Sequence, residues 1–153
     1  MGGGHWAHGP REETQPMLGD KIGEEHGKVT TRRVLPGDDY RYVKLEISFE
    51  TQCTIYGFEG VNMGTYTVFE RIPGQLYGEG RGIFMTNDGQ GGIWNGHGVG
   101  RMTGEGMGIA FAAGIAFQTD SEKLSRLNGV MVVVEHQTDN DGNAHSSLFE
   151  WKA

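Results

Sequence analysis

LYGEGRGIFMTNDGQGGIWNGHGVGRMTGEGMGIAFAAGIAFQ, residues 76–118, is the stretch that decides the fold. Gly78, Gly80 and Gly82 fall at every second position, as do Gly96, Gly98 and Gly100; Gly108, Ala110, Ala112, Gly114 and Ala116 continue the pattern. Successive side chains of a strand point to opposite faces, so each segment has one bare face and one full face. Such strands suit a tightly coiled sheet in which backbones approach closely.

Working outward, turn signals divide the chain from Lys28 into eight strand segments: Lys28–Leu35, Arg41–Tyr56, Gly60–Ile72, Gln75–Thr86, Gly91–Thr103, Gly106–Thr119, Gly129–Thr138 and Ala144–Lys152. Pro36-Gly37-Asp38, Pro73-Gly74, Asp88-Gly89, Gly104-Glu105 and Asp141-Gly142 mark the turns. The second segment alternates clearly, with Val43, Leu45, Ile47, Phe49 and Cys53 on one face and Lys44, Glu46, Ser48, Glu50 and Gln52 on the other. One short helix is expected at Ser121–Leu127, capped by Asp120 or Ser121 and ended by Asn128-Gly129. Residues 1–27, with Gly2 to Gly4, Pro10, Pro16 and little apolar content, read as a flexible tail ahead of a barrel domain at 28–153. The expected fold is all-β, an eight-stranded antiparallel up-and-down barrel, because closure removes edge strands and glycine alternation supplies the bending.

Composition narrows the function classes. Net charge is −7 with no long basic run, which argues against nucleic acid and anionic membrane surfaces as partners. A lone cysteine, Cys53, excludes an internal disulfide framework and is compatible with a cytoplasmic protein. No segment approaches the ~18 apolar residues of a spanning helix. The six histidines form no ligand-spaced motif, so no metal is expected, and no motif calls for a cofactor. Cys53 reads as a buried packing residue.

Hairpin registers give the candidate site. With Asp88-Gly89 as a two-residue loop, Ile83 faces Trp94, Arg81 faces Gly96 and Glu79 faces Gly98. With Gly104-Glu105 as another, Gly98 faces Phe111 and Trp94 faces Ile115. Tyr77, Glu79, Arg81, Ile83, Met85, Trp94, Met102, Met107, Ile109, Phe111, Ile115 and Phe117 then share the lumen, while Leu76 and Phe84 lie outside with Ile93, Asn95, His97, Val99 and Arg101. A one-residue slip would exchange the faces of a strand. Glu79 and Arg81 become polar anchors beside an apolar cavity, joined by Tyr66, which a Pro73-Gly74 loop pairs with Arg81. Trp94, Ile83, Met102, Phe111 and Ile115 wall the rest.

The stretch Gly82–Arg101, with Leu124-Ser-Arg-Leu-Asn-Gly129, Asp139-Asn-Asp-Gly-Asn143 and the ending Phe149-Glu-Trp-Lys152, resembles small bacterial β-barrel proteins of uncharacterised function, similar to allene-oxide-cyclase-like and calycin-like barrels. The resemblance implies an internal cavity, frequent oligomerisation, and a lumen that holds an apolar reactive substrate and steers its ring closure. It assigns no site residues. The resulting expectation is a protein that binds a small apolar or amphipathic molecule in its lumen, with cyclase or isomerase chemistry open. The alternative is a filled barrel that assembles into homo-oligomers through its Gly/Ala-rich outer strands.

Overall fold

The computed structural model describes residues 18–37 and 44–151. Eight strands, β1 Leu18–Leu35, β2 Lys44–Ile55, β3 Phe58–Ile72, β4 Gln75–Thr86, β5 Gly91–Met102, β6 Ile109–Gln118, β7 Met131–Thr138 and β8 Asn143–Trp151, pair antiparallel with their sequence neighbours. β8 returns to β1 and closes the barrel.

β1 begins ten residues earlier than the composition suggested, so residues 18–27 belong to the barrel wall, and residues 1–17 of the expected tail lie outside the described residues. The segment looked too polar for a strand because its inward face is narrow. It places Ile22 and Glu25 inside, and Gly23 and Gly27 let the β2 backbone approach closely. The expected helix is a single 3₁₀ turn at Ser125–Gly129, without a side-chain cap at its N-terminus. Asn128 instead ties the segment back to Thr119, accepting from its N–H at 2.8 Å and donating to its carbonyl at 3.0 Å. Leu124 and Leu127 from this segment are buried and plug one end of the barrel with Ile22, Ile55, Phe84 and Phe117. A smaller cluster, Ile47, Leu76 and Ile109, packs toward the other end.

The registers correct the expected faces of β4. Thr86 N–H donates to the Gln90 carbonyl at 2.8 Å, so the connection is the three-residue Asn87-Asp88-Gly89, with Gly89 at φ 89°. A three-residue hairpin ending on a left-handed residue is a common alternative to the two-residue loop, and it shifts pairing by one. The partners are Gly78↔Gly98, Gly80↔Gly96 and Gly82↔Trp94. Tyr77, Glu79, Arg81, Ile83 and Met85 therefore face outward, while Leu76 and Phe84 are buried inside. Between β3 and β4 the Pro73-Gly74 turn forms as expected, with Ile72 paired to Gln75. An irregularity between Glu70 and Ile72 then moves the register, so Tyr66 faces Gly80 rather than Arg81. The β5–β6 connection spans 104–107, and a shift of two keeps the expected faces: Trp94 pairs with Phe117, Gly98 with Ala113 and Gly100 with Phe111.

Large rings do lie over glycines, as the alternation implied. The Trp94 indole covers Gly82 and Gly64, and Phe111 covers Gly78 and Gly100. A Cβ on Gly82 would sit 2.4 Å from the indole and 2.5 Å from the Met63 carbonyl. Gly82→Ala is expected to cost roughly 2 kcal/mol through overpacking. Chemical denaturation measures this, and an unchanged midpoint would show that Trp94 is free to move.

Candidate functional site

A cavity of about 90 Å³ lies in the middle of the barrel between the two apolar clusters. Phe49, Ile55, Trp94, Phe111, Ile115, Phe117, Val134 and Leu148 supply its apolar walls; Glu25, Asn62, Tyr66, His136 and Ser146 supply polar groups. An apolar chamber with a few convergent polar atoms is the usual form of a small-molecule site.

Three of the polar groups, Glu25, Ser146 and His136, come from one rung of the barrel, while Asn62 and Tyr66 lie further along β3. Cys53 of β2 is the direct partner of Glu25 on β1, Glu25 of Ser146 on β8, Ser146 of His136 on β7, and His136 of Phe111 on β6. Glu25, Ser146 and His136 are all buried. Trp94 Nε1–H donates to Asn62 Oδ1 at 2.8 Å, reaching across β4 because Gly82 has no side chain. Asn62 Nδ2 donates to Glu25 Oε2 at 2.8 Å. Ser146 Oγ donates to Glu25 Oε1 at 3.1 Å and lies 2.7 Å from His136 Nδ1.

Hydrogen-bond chemistry fixes most of the orientations. An indole N–H only donates, so the Asn62 oxygen must face Trp94 and its amide nitrogen must face Glu25. The serine hydroxyl has one proton. While Ser146 gives it to Glu25, its oxygen accepts from His136 Nδ1–H, leaving Nε2 as a lone-pair acceptor. Among the described residues, two buried side-chain atoms lack a hydrogen-bond partner: His136 Nε2 and the Tyr66 hydroxyl oxygen. Their rings meet edge to face with centroids 5.7 Å apart, and both residues line the cavity. Buried polar atoms are nearly always partnered, so two orphans beside one cavity identify where a ligand's polar end would sit.

Burial sets the charge states. Desolvation pushes the Glu25 carboxyl above its ordinary range, against the pull of bonds from Asn62 and Ser146. Desolvation lowers His136 to about 4, so the ring is neutral near neutrality. It also pushes the Tyr66 hydroxyl up, keeping it a neutral donor, and pushes the Cys53 thiol up, which argues against a nucleophilic role.

The structure brings five of the eight sequence candidates to the cavity: Tyr66, Glu79, Trp94, Phe111 and Ile115. Glu79 does so from the outer wall, with a side chain 60% exposed and 3.9 Å from His97. Arg81 and Ile83 point outward into solvent, and Met102 is exposed at the end of β5. Sequence reasoning missed Glu25, Asn62, His136 and Ser146 as site residues. The Asp139–Asn143 turn held the signal for one pair: Asp139 N–H donates to the Asn143 carbonyl, which sets His136 opposite Ser146.

One surface cluster has metal-ligating chemistry. Glu24, His26 and His145 place ligand atoms within 4.8 Å of one another on the outer face of β1 and β8. All three are exposed, and Lys21 already holds the Glu24 carboxylate at 2.6 Å. The two histidines come from opposite ends of the sequence, so no linear motif marks them.

No protein-family model matches the chain, and no curated protein does. Solved structures do. A Clostridium acetobutylicum protein of unknown function is 14% identical with a TM-score of 0.75, covering 91% of this chain and 100% of its own. A β-barrel-like protein from Acinetobacter baumannii is 14% identical at 0.73, covering 91% and 99%. A Penicillium herquei protein described as an enzyme is 14% identical at 0.62, covering 90% and 98%. These likenesses concern the barrel fold. Among the described residues no helix is long and apolar enough to cross a membrane.

Proposed function

We propose that this protein binds a small amphipathic molecule in its barrel lumen, with the ligand's polar end held by Tyr66 and His136. The observation that carries this reading is the pair of enclosed, unpartnered atoms, the Tyr66 hydroxyl and His136 Nε2, beside one largely apolar cavity. One donor and one acceptor suit a hydroxyl group, which accepts from Tyr66 and donates to His136 Nε2, whereas a carbonyl meets the Tyr66 donor alone. The cavity is smaller than the roughly 150 Å³ that holds benzene in an engineered core, so the polar head is compact and a ring enters by displacing Phe111. The reading extends to a lumen used as in allene-oxide-cyclase-like and calycin-like barrels, with isomerisation or cyclisation as the matching chemistry. The description of the Penicillium herquei neighbour as an enzyme supports a catalytic use of this barrel shape. The single buried cysteine supports a cytoplasmic setting.

Native mass spectrometry of protein purified from cell extract tests the binding reading. A retained small molecule is expected. Tyr66→Phe should weaken its retention about tenfold, the effect of one hydrogen bond to an otherwise unmet donor, without loss of stability. Protein that carries no bound mass and releases nothing on organic extraction would count against it.

A second reading, homo-oligomer assembly, is favoured by an apolar outer patch. Met63, Ile83 and Ile93 are consecutive cross-strand partners with Met85 beside them, each between 43% and 51% exposed. Patches of this kind mark interaction surfaces. Light scattering should show an assembly that Ile83→Glu dissociates; a monomer at all concentrations would end this reading.

A further inference from the structure

We propose that Glu25, Ser146 and His136 form a proton relay that lets His136 Nε2 take a proton from a weakly acidic O–H, that of a phenol or an enol, held beside Tyr66. This deepens the lumen-binding reading and, for its substrate half, rests on it. The relay itself is a property of the protein alone.

The geometry supplies a continuous path. His136 Nδ1 is 2.7 Å from Ser146 Oγ, which is 3.1 Å from Glu25 Oε1, and each residue is the direct cross-strand partner of the next. The other Glu25 oxygen is committed, since Oε2 accepts from Asn62 and Asn62 is fixed by the Trp94 N–H. A proton arriving at Glu25 therefore settles on Oε1, the oxygen facing Ser146. Two arrangements satisfy every partner. With Glu25 ionised, Nδ1–H donates to Ser146, Ser146 donates to Oε1, and Nε2 is an acceptor. With Glu25 protonated, Oε1–H donates to Ser146, Ser146 donates to Nδ1, and Nε2–H is a donor.

The step that joins them is balanced. The ligand O–H bond breaks and an Nε2–H bond forms; Nδ1–H breaks and Ser146 Oγ–H forms; the original Ser146 O–H breaks and Glu25 Oε1–H forms. One proton passes from ligand to Glu25, and the negative charge passes from Glu25 to the ligand oxygen, where the Tyr66 O–H can donate to it. His136 is never left as a buried cation. The titratable and charged groups that face this path or its members are Glu25 and Arg32 on β1, Cys53 on β2, Tyr66 on β3, Glu79 on β4 and His97 on β5 at the outer wall of the cavity, and, from the outer side of β8, His145. Burial that raises Glu25 makes it a stronger base at the end of the relay.

Nitrogen NMR of the histidine rings in the full chain, without ligand, decides the relay. His136 is expected to change from the Nδ1–H to the Nε2–H neutral tautomer as pH falls through the Glu25 titration, without the ring becoming cationic. Glu25→Gln should lock the Nε2–H form at every pH where the chain is folded, because Asn62 forces the glutamine carbonyl toward itself and the NH₂ toward Ser146. Ser146→Ala should uncouple the tautomer from Glu25. An unchanged tautomer across the titration, or in Glu25→Gln, would overturn the relay; that second variant keeps the test decisive if Ser146→Ala does not fold. For the substrate half, 4-nitrophenol is the probe. Bound as the yellow phenolate at a pH where the free compound is a phenol, and with the phenol bound at least tenfold more weakly by Glu25→Gln, whose Nε2–H leaves the ligand proton no acceptor, it supports the assignment. Binding as the phenol to the wild type, or no binding, overturns the substrate class and leaves the relay to the tautomer result.

Discussion

Asn62→Leu is expected to destabilise the barrel by about 3–5 kcal/mol, far more than a volume-matched substitution on an apolar wall. The side chain is 7% exposed and joins two buried groups that have opposite needs. Without it the Trp94 N–H loses its acceptor and Glu25 Oε2 loses its donor. Removing one partner from a buried charged or polar pair leaves the full desolvation cost of the other. Glu25→Leu combined with Asn62→Leu should recover part of the loss, because Ser146 can then donate to His136 Nδ1 and the indole N–H is the one group newly left unmet. Chemical denaturation of the single and double variants measures both effects. A loss below about 1 kcal/mol for Asn62→Leu would mean that the network is satisfied by water rather than by these side chains.

The second large effect is a pH dependence with a definite sign. His136 titrates at about 4 in the folded protein against 6.5 for an unburied histidine, so between these values the unfolded chain binds a proton that the folded chain excludes. Stability from this group is complete above 6.5 and is lost as pH falls toward 4. The shift corresponds to about 3 kcal/mol. Glu25 works in the opposite sense. Its folded value is raised above 4.5, so the folded chain binds the extra proton, and its contribution is lost as pH rises through that raised value. Equilibrium unfolding from pH 4 to 8 should therefore show an acid-side slope that His136→Phe removes. Glu25→Gln should gain on the wild type as pH rises. Matching slopes for wild type and His136→Phe would contradict the buried, neutral ring.

How much of this was legible in the sequence follows from what turns and periodicity encode. The strand count, seven of the eight strand positions and the closed form came from glycine alternation and turn residues. Large-over-glycine packing was legible between β5 and β6, where Phe111 lies over a glycine of β5, but Trp94 over Gly82 was not, because the expected register set Trp94 opposite Ile83. The face of β4 was not, because a two-residue and a three-residue reading of Asn87-Asp88-Gly89 differ by one position and exchange every side chain. That single residue moved Glu79 and Arg81 from the lumen to the outer surface and brought Leu76 and Phe84 in. Glu25 was hidden for another reason. Its strand has a polar composition, and one of its two cross-strand partners, Ser146, lies 121 residues away. His136 looked isolated beside Glu135, which points to the other face, while its true neighbour lies across a hairpin.

The central claim, that the lumen receives a ligand at Tyr66 and His136, is tested most directly by two-dimensional NMR of the labelled protein titrated with small phenols and carbonyl compounds. The Trp94 indole N–H and the His136 ring resonances are expected to shift together, with the same saturation curve, while outer-face signals from Ile93 and Asn95 stay still. Shifts confined to the outer face, or none at any inner position, would contradict it.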